Sequence, residues 1–305
     1  MQAPQNPQVS VIIPTHNRIL ELTTAIRSVL RQHVQELEII VLDDASTEPV
    51  REAVQKFEDS RIVFHREEVK SNANVLRNIG LRKARGLYTA FLDSDDEWEE
   101  NHLESKIAFL KTSSAEGVFG SAFIDDGSTI RYAVSREMNP TTHPVNYLLG
   151  QGFAQTSSWV FKTKAAQQIL FDEALLRHQD YDYFIRFALQ FAIQASWEPT
   201  TRIHWKAGVP RVASFPSEIL FIDRYKMHLE RRLLCNYYFE RFNSWKKANY
   251  AEAVLHYRKK LEENARFITF NQYQQLFKSQ SKVMFPWRLI RFTSHIVLSA
   301  LLNRT

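Results

Sequence analysis

Three closely spaced aspartates, Asp93, Asp95 and Asp96, follow a short apolar segment and are the residues best placed to do chemistry. Carboxylates this close repel one another unless a cation lies between them. Their hard oxygen atoms suit Mg²⁺ or Mn²⁺, which keep coordination positions open for water and substrate phosphates. An isolated cluster of this kind is more often a solvated acidic turn. Here a second acidic pair, Asp43 and Asp44, ends another apolar segment, which favours a shared metal or substrate site.

The elements that must position these carboxylates alternate between short apolar runs and helical patterns. The apolar runs cover residues 9–13, 37–42, 61–64 and 88–92. This alternation predicts an α/β fold with a Rossmann-like, mostly parallel sheet flanked by helices. In an open α/β sheet, ligands bind beyond the carboxyl ends of the strands. The polar strand ends at residues 15–18, 43–44 and 93–96 are therefore expected to converge on one site.

Four segments carry recognisable motifs in a fixed order. They are VSVIIPTHNR (9–18), LEIIVLDDAST (37–47), SNANVLRNIGLRKARGLYTAFLDSDD (71–96) and FDEALLRHQDYDYFIR (171–186). Together they resemble the inverting glycosyltransferases of family 2, which have the nucleotide-sugar-dependent GT-A fold. The resemblance covers about the first 205 residues, and the ordered set of motifs is far more specific than any one of them.

The resemblance implies roles for individual residues. Asp44 would hydrogen-bond the nucleobase, Asp93 would approach the ribose or the metal, and Asp95 would be the main ligand of Mn²⁺ or Mg²⁺. The other implied donor-binding residues are Pro14, Thr15, Asn17, Arg77 and Ser94. Since a carboxylate at Asp44 can accept from the imide N–H of uracil or thymine, the expected donor is UDP-linked or dTDP-linked, with UDP preferred.

A second carboxylate is needed to take the proton of the acceptor hydroxyl as it attacks the anomeric carbon. Asp180 is the candidate general base, and Asp182 is the competing assignment. Because about 200° separates residues i and i+2 on a helix, only one of them can face the cleft. His204 is a candidate metal ligand because imidazole can bind Mn²⁺, with an ordinary polar strand residue as the alternative.

The resemblance thus implies a metal-dependent, inverting hexosyltransferase that uses a glycan or lipid-linked acceptor, as in the synthesis of a bacterial surface polysaccharide. The Q-x-x-R-W motif of processive relatives is missing, so one sugar per encounter is expected. The alternative is a non-catalytic nucleotide-sugar or glycan-binding protein of the same fold. The presence of Asp44, Asp95 and Asp180 argues against that alternative.

The last third of the chain has a different composition. No glycine or proline occurs from residue 217 to residue 285, and a set of large apolar residues recurs every four positions, which predicts a helical stripe. The stripe consists of Phe221, Tyr225, Leu229, Leu233 and Tyr237. We therefore expect a GT-A domain over residues 1–215 and a helical region over residues 216–305. The stripe would serve an internal core or a homodimer equally well.

Two further segments near the end of the chain bear on membranes. Residues 285–292 mix aromatic residues with arginines, as interfacial helices do, and residues 296–302 are apolar. Peripheral docking on the inner face of a membrane, beside a lipid-linked glycan, is one hypothesis. An ordinary helical subdomain is the other. No apolar run reaches the roughly 20 residues that a membrane span requires.

Composition limits the remaining possibilities. The 305 residues are 44% hydrophobic, which excludes disorder, and the net charge of +5 favours phosphate-bearing or anionic partners. No nucleic-acid-binding module is recognisable, so no nucleic-acid partner is expected. The single cysteine, Cys235, cannot form an internal disulfide, and the first residues lack the pattern of a signal peptide. A cytoplasmic location is therefore expected.

Overall fold

A parallel half-sheet opens the chain. The computed structural model describes residues 6–150, 152–205, 214–269, 271–272 and 276. Four strands, in the spatial order β3-β2-β1-β4, are parallel to one another. They are β1 (Val9–Thr15), β2 (Leu37–Asp44), β3 (Ile62–Glu67) and β4 (Tyr88–Phe91). Every residue of β1, β2 and β4 is buried, as expected for strands covered on both faces.

Three helices connect these strands. They are α1 (Ile19–Leu30), α2 (Val50–Gln55) and α3 (Ala73–Lys83). Leu22, Ile26 and Val29 of α1 recur at helical spacing and are buried in the same core as β1 and β2. Asn72 caps α3, since its side chain accepts from the backbone N–H groups of Asn74 and Val75. Because β1, β2 and β4 are parallel, their carboxyl ends lie at the same edge of the sheet.

The second half of the sheet is mixed. It contains β5 (Glu97–Trp98), β6 (Gly117–Asp125), β7 (Ile130–Ala133), β8 (Val160–Lys162) and β9 (Ile193–His204). β8 lies between β4 and β6 and is antiparallel to both, whereas β6 and β9 are parallel. β5 and β7 add short antiparallel pairs to β9 and β6. Most paired residues of the sheet are parallel, so the predicted α/β fold is confirmed.

The second half also carries five helices. They are α4 (His102–Thr112), α5 (Pro144–Gly150), α6 (Thr163–Ala166), α7 (Gln179–Gln190) and α8 (Phe215–Tyr225). An aromatic cluster joins α7 to the sheet: the ring of Tyr183 stacks on Phe171 at 4.1 Å and lies 6.1 Å from Phe91 of β4. Trp159 is fully buried in the same cluster. These contacts fix the start of α7 relative to the end of β4.

One buried cation lies in this core. Lys106 of α4 is fully buried, and its Nζ has no hydrogen-bond partner within the described ranges. Gly120 of β6 makes room for it, because a Cβ at Gly120 would clash with Lys106 Nζ. Burial lowers the pKa of Lys106 from 10.5 to about 8, and the charge of Glu198 opposes this shift. Holding Lys106 in the core therefore costs stability at neutral pH.

We expect Lys106→Met to raise the free energy of unfolding at pH 7 by up to about 3 kcal/mol, because one pKa unit corresponds to about 1.4 kcal/mol. The folded protein loses the Lys106 proton near pH 8, and the unfolded chain loses it near pH 10.5. The cost is thus complete below pH 8 and vanishes as the pH rises towards 10.5. Urea denaturation of both proteins at several pH values measures the difference. A gain that does not shrink at high pH would contradict this account.

The chain forms two compact units, one ending at Tyr225 and one beginning at Lys226. The second contains α9 (Arg231–Lys247) and α10 (Ala251–Glu263), which pack against each other. The described residues of this second unit are mainly helical, as predicted for the last third of the chain. The single helical stripe predicted from residue 221 to residue 237 is wrong, because a turn at residues 226–230 separates α8 from α9. No glycine or proline marks that turn.

The described helices include none that is long and apolar enough to cross a membrane. The segments 285–292 and 296–302, on which the membrane hypothesis rests, lie outside the described residues.

Candidate active site

The ends of β1 and β2 form one wall of the site. Thr15 pairs in register with Asp43, and both are buried. Asp44 is 5% exposed, and its Oδ1 accepts from the backbone N–H and the hydroxyl of Ser71 at 2.7 and 2.9 Å. Pro14 lies in β1 opposite Leu42. Three of the predicted donor-binding residues, Pro14, Thr15 and Asp44, thus lie together at the carboxyl edge of the parallel strands.

Asn17 joins the loops that follow β1 and β2. Its backbone has a φ of 51°, in the left-handed region that asparagine tolerates well. Its Oδ1 accepts from the backbone N–H groups of Thr47 and Glu48 at 2.8 and 3.3 Å. Its own N–H donates to Ser46 Oγ. The structure therefore shows Asn17 holding the pocket wall, and its predicted contact with the donor stays a prediction.

Ala45, which follows Asp44, also has a left-handed backbone, with a φ of 52°. A Cβ is strained in this conformation and glycine is not. We expect Ala45→Gly to raise the free energy of unfolding by about 0.5–1 kcal/mol, after allowance for the entropy that glycine adds to the unfolded chain. A higher urea midpoint at unchanged slope would show this. Ala248→Gly is the matched control: Ala248 has a φ of −81°, so glycine there should destabilise.

The acidic turn after β4 is paired with two arginines. Arg77 Nη2 lies 2.5 Å from Asp93 Oδ1, and the guanidinium of Arg18 contacts Asp95. Ser94 is buried between the two aspartates. Arg77 is 3% exposed, and its Nε and Nη1 have no hydrogen-bond partner among the residues that the structure describes. Positive charge therefore lies next to each of the two carboxylates proposed as metal ligands.

Crowding of the carboxylates raises their pKa values. Burial and the neighbouring charge of Asp93 raise the pKa of Asp95, and Arg18 opposes the shift. Burial, Asp93 and Asp95 together raise the pKa of Asp96 well above its ordinary range. A cation at this turn would relieve the repulsion. Two carboxylates with substrate phosphates form a sufficient ligand set for Mg²⁺, so Asp93 and Asp95 fit a divalent ion.

The imidazole of His204 points away from Asp93 and Asp95 and towards Glu97 and Asp125. Its Nε2 lies 2.8 Å from Glu97 Oε1, and its Nδ1 lies 3.9 Å from Asp125 Oδ2. Only its backbone N–H contacts the acidic turn, donating to Asp96 at 3.2 Å. Within the described ranges, no three His, Cys, Asp or Glu side chains are grouped closely enough to hold a metal. His204 as a metal ligand therefore stays a prediction that requires its side chain to move.

The two aspartates of α7 have different surroundings. Asp182 is fully buried and accepts from Arg186, Arg224 and Tyr225 at 2.8, 2.5 and 2.7 Å. Asp180 lies one residue from the start of the helix and interacts electrostatically with Arg77 and Asp93. Burial raises the pKa of Asp180, and the charge of Asp93 adds to this effect while Arg77 opposes it.

The start of α7 is fixed by His178, whose left-handed backbone has a φ of 60°. Its ring stacks on Phe221 of α8 at 4.7 Å. Asp180 is thereby set at the same edge as the acidic turn, whereas Asp182 faces the core.

Several residues that contact the predicted aspartates were not assigned a role from the sequence. Arg18, Ser71, Gln155 and Ser157 all contact the predicted aspartates. Arg18 stands directly after Asn17 in a segment already assigned to the pocket, and its charge was the available signal. Ser157 lies 64 residues from Asp93, so nothing local could reveal its contact.

The chain belongs to glycosyl transferase family 2, because the family model matches residues 10–190, more than half of its length. Amylovoran biosynthesis glycosyltransferase AmsB of Erwinia amylovora is 29% identical over 243 residues, which cover 75% of this chain and 81% of AmsB. WfgD of Escherichia coli, a UDP-Glc:alpha-D-GlcNAc-diphosphoundecaprenol beta-1,3-glucosyltransferase, is 36% identical over 122 residues, 40% of this chain and 48% of WfgD.

A solved structure has a similar fold. TarS of S. aureus in complex with UDP-GlcNAc has a TM-score of 0.66 and 18% identity, covering 87% of this chain and 82% of that one. The likeness confirms the GT-A fold that the sequence motifs implied.

Proposed function

We propose that this glycosyltransferase is metal-dependent and inverting, and that it moves one sugar from a nucleotide-sugar to a hydroxyl of a glycan or lipid-linked glycan. The observation that carries the proposal is the surroundings of Asp180. Asp180 interacts electrostatically with Asp93 and Arg77, whereas the carboxylate of Asp182 already accepts hydrogen bonds from three donors. Asp180 is therefore the carboxylate of α7 that remains able to act as a base near the acidic turn.

Two features support an anionic donor with a uracil or thymine base. Nε and Nη1 of buried Arg77 have no hydrogen-bond partner among the described residues, and a diphosphate would satisfy them, since buried donors without partners are costly. Both bonds from Ser71 end on Oδ1 of Asp44, which leaves Oδ2 to accept from an imide N–H. A UDP-linked sugar meets both requirements.

The reaction needs one base. Asp180 takes the proton of the acceptor hydroxyl, and its raised pKa strengthens it as a base near neutral pH. A divalent cation held by Asp95 and Asp93 would stabilise the charge that grows on the departing diphosphate. Arg77 adds positive charge on the same side. The leaving diphosphate then requires no proton, and attack on the face opposite to it inverts the anomeric carbon.

The acceptor class is inferred from the relatives. AmsB is named for amylovoran biosynthesis, and WfgD is named for transfer to a diphosphoundecaprenol-linked sugar. We infer that this chain also acts in bacterial polysaccharide biosynthesis, at the inner face of the membrane. Residues 226–305 support a location at the membrane because they carry fifteen Lys and Arg but only five Glu and no Asp, and basic segments bind anionic lipid surfaces.

Sedimentation of the full chain with anionic vesicles at low salt tests the membrane contact, and failure to sediment would exclude it. Sedimentation equilibrium of the chain alone tests the homodimer, which the sequence left open beside an internal core.

Calorimetric titration with UDP, GDP and dTDP, each with and without Mn²⁺, tests the proposed donor. Metal-dependent binding of UDP is expected. NMR of the sugar product from a hydrolysable donor then reports the anomeric configuration. Metal-dependent binding without turnover of any donor would favour a non-catalytic binding protein, and retention of configuration would contradict the single displacement by way of Asp180.

A further inference from the structure

A buried turn far from the acidic turn in sequence contacts both of its ends. We propose that Gln155, Ser157 and Asp96 form a clamp whose function is to hold Asp93 and Asp95 in the orientation that metal and diphosphate binding require. The inference rests on the proposed metal-dependent function, and it assigns Asp96 to positioning rather than to metal binding. We refer to these three residues as the turn clamp.

Ser157 makes the central contacts of the turn clamp. Its Oγ donates to Asp96 Oδ2 at 2.6 Å and accepts from the backbone N–H of Asp93 at 3.0 Å. One hydroxyl thus joins the first residue of the acidic turn to the last. Because the backbone N–H of Asp96 also donates to the carbonyl of Asp93, at 3.0 Å, the turn is closed on both sides.

Gln155 adds a bridge between the carboxylates. Its Nε2 lies 3.4 Å from both Asp93 Oδ2 and Asp96 Oδ2. Its Oε1 accepts from the backbone N–H of Ser157 at 2.7 Å, so the two residues of the clamp also orient each other. An amide group is suited to this place, since it donates to two like charges without adding a third.

The protein holds Ser157 firmly. The short helix Thr156–Ser158 is buried throughout. The carbonyl of Ser157 accepts from the indole N–H of Trp98 at 2.6 Å, and Thr201 Oγ1 donates to the same carbonyl at 3.4 Å. Trp98 in turn stacks on the buried ring of His102 at 4.3 Å. The clamp is therefore anchored in β5, α4 and β9 and does not depend on a surface loop.

The contacts of Asp96 explain why it is separate from the proposed ligands. It is 2% exposed, with Oδ2 bonded to Ser157 and Oδ1 accepting from the backbone N–H of His204 at 3.2 Å. Both oxygens are thus used within the protein. Asp93 and Asp95 are more exposed, and within the part of the chain that the structure describes their side chains pair with the arginines and Gln155. Without the clamp, repulsion between these carboxylates would favour splayed orientations, and groups that orient metal ligands commonly contribute 10–100-fold to metal affinity.

The test uses the full chain with UDP and Mn²⁺. We expect Ser157→Ala to weaken metal-dependent UDP binding by about 10–100-fold in calorimetry and to lower kcat, while UDP binding in EDTA stays within about twofold. Ser157→Thr keeps the hydroxyl and should restore most of the metal-dependent affinity. Gln155→Ala, at a partly exposed position, should weaken it about tenfold with little risk to folding.

Thr89→Val is the matched control. Thr89 is a fully buried residue of β4 whose hydroxyl bonds to Thr163 at 2.8 Å and does not contact the acidic turn. It should lose thermal stability comparably to Ser157→Ala but keep wild-type metal-dependent binding. If Ser157→Ala and Gln155→Ala both bind UDP and Mn²⁺ as the wild type does, the clamp is excluded. If the wild type itself shows no metal-dependent binding, the proposed function fails instead.

Discussion

Replacing Asp180 with Asn is expected to lower kcat by about 10²–10⁴-fold, the range that a positioned general base contributes. The amide cannot accept the acceptor proton at the moment of attack. Binding of UDP and Mn²⁺ should stay within about twofold, since Asp180 acts on the acceptor. Steady-state kinetics with a screened acceptor, together with calorimetry of the variant, measure both effects. A variant that keeps more than a tenth of wild-type kcat would exclude Asp180 as the base.

The pH dependence of kcat/KM is a second test of Asp180 as the general base. Because Asp180 must be ionised to act, kcat/KM should fall as the pH drops through its pKa, which burial raises above the ordinary 3.8. This acidic limb should be missing from the residual activity of Asp180→Asn.

Asp182→Asn is the contrasting variant on the same helix. It removes the charge that Arg186 and Arg224 require, and breaking a buried ion pair typically costs about 3–5 kcal/mol. We therefore expect it to lose stability before it loses chemistry. If Asp182→Asn is instead stable but has lost kcat, Asp182 is the general base and Asp180 is not.

Replacing Asp95 with Ala is expected to abolish the metal dependence of nucleotide binding and to lower kcat/KM by about 100-fold or more. A bound divalent ion contributes several kcal/mol to stabilising the departing diphosphate, and each 1.4 kcal/mol is a factor of ten. UDP binding in EDTA should be unchanged or slightly stronger, because Arg18 is released from its ion pair and becomes available to phosphate. Calorimetry with and without Mn²⁺ separates these effects.

Asp59→Ala is the matched control for Asp95→Ala. Asp59 is also paired with an arginine, at 2.7 Å from Arg61, and it lies in the turn before β3 rather than at the carboxyl edge of the sheet. Its loss should leave the response to Mn²⁺ unchanged. Equal loss of metal-dependent binding in both variants would indicate a general effect of charge and not a ligand at Asp95.

The parallel half of the fold and its polar edge could be predicted from the sequence because their signals are local. An apolar run ending in Asp43 and Asp44 indicates a strand whose carboxyl end is polar, and β2 ends at Asp44 as expected. Helical spacing likewise indicated that Asp180 and Asp182 face different ways. Which of them faces the core depends on Arg224 and Tyr225, 42 and 43 residues further along the chain, and nothing near Asp182 encodes that contact.

The contacts of Ser157 and the orientation of the His204 imidazole could not be predicted from the sequence either, because they also depend on residues far away in the chain. Ser157 has no charge, and its partners lie in the turn after β4 and in β5, which the antiparallel insertion of β8 brings close to it. His204 was predicted to bind the metal because imidazole can bind Mn²⁺, but the nearby carboxylate of Glu97 determines where its ring points. The turn at residues 226–230 was missed because it contains neither of the residues that usually break helices.

The place of β8 in the sheet also sets an order for the growing polypeptide. β4 can pair with β1 once residue 91 has left the ribosome, but its other edge has no partner until Val160–Lys162 has also emerged. Unpaired strand edges invite association with other chains. During translation of the intervening residues, the apolar YTAF segment is thus exposed to nascent neighbours. Slow codons or stalled synthesis between residues 92 and 160 should therefore favour aggregation, and a chaperone that covers one strand edge would suppress it.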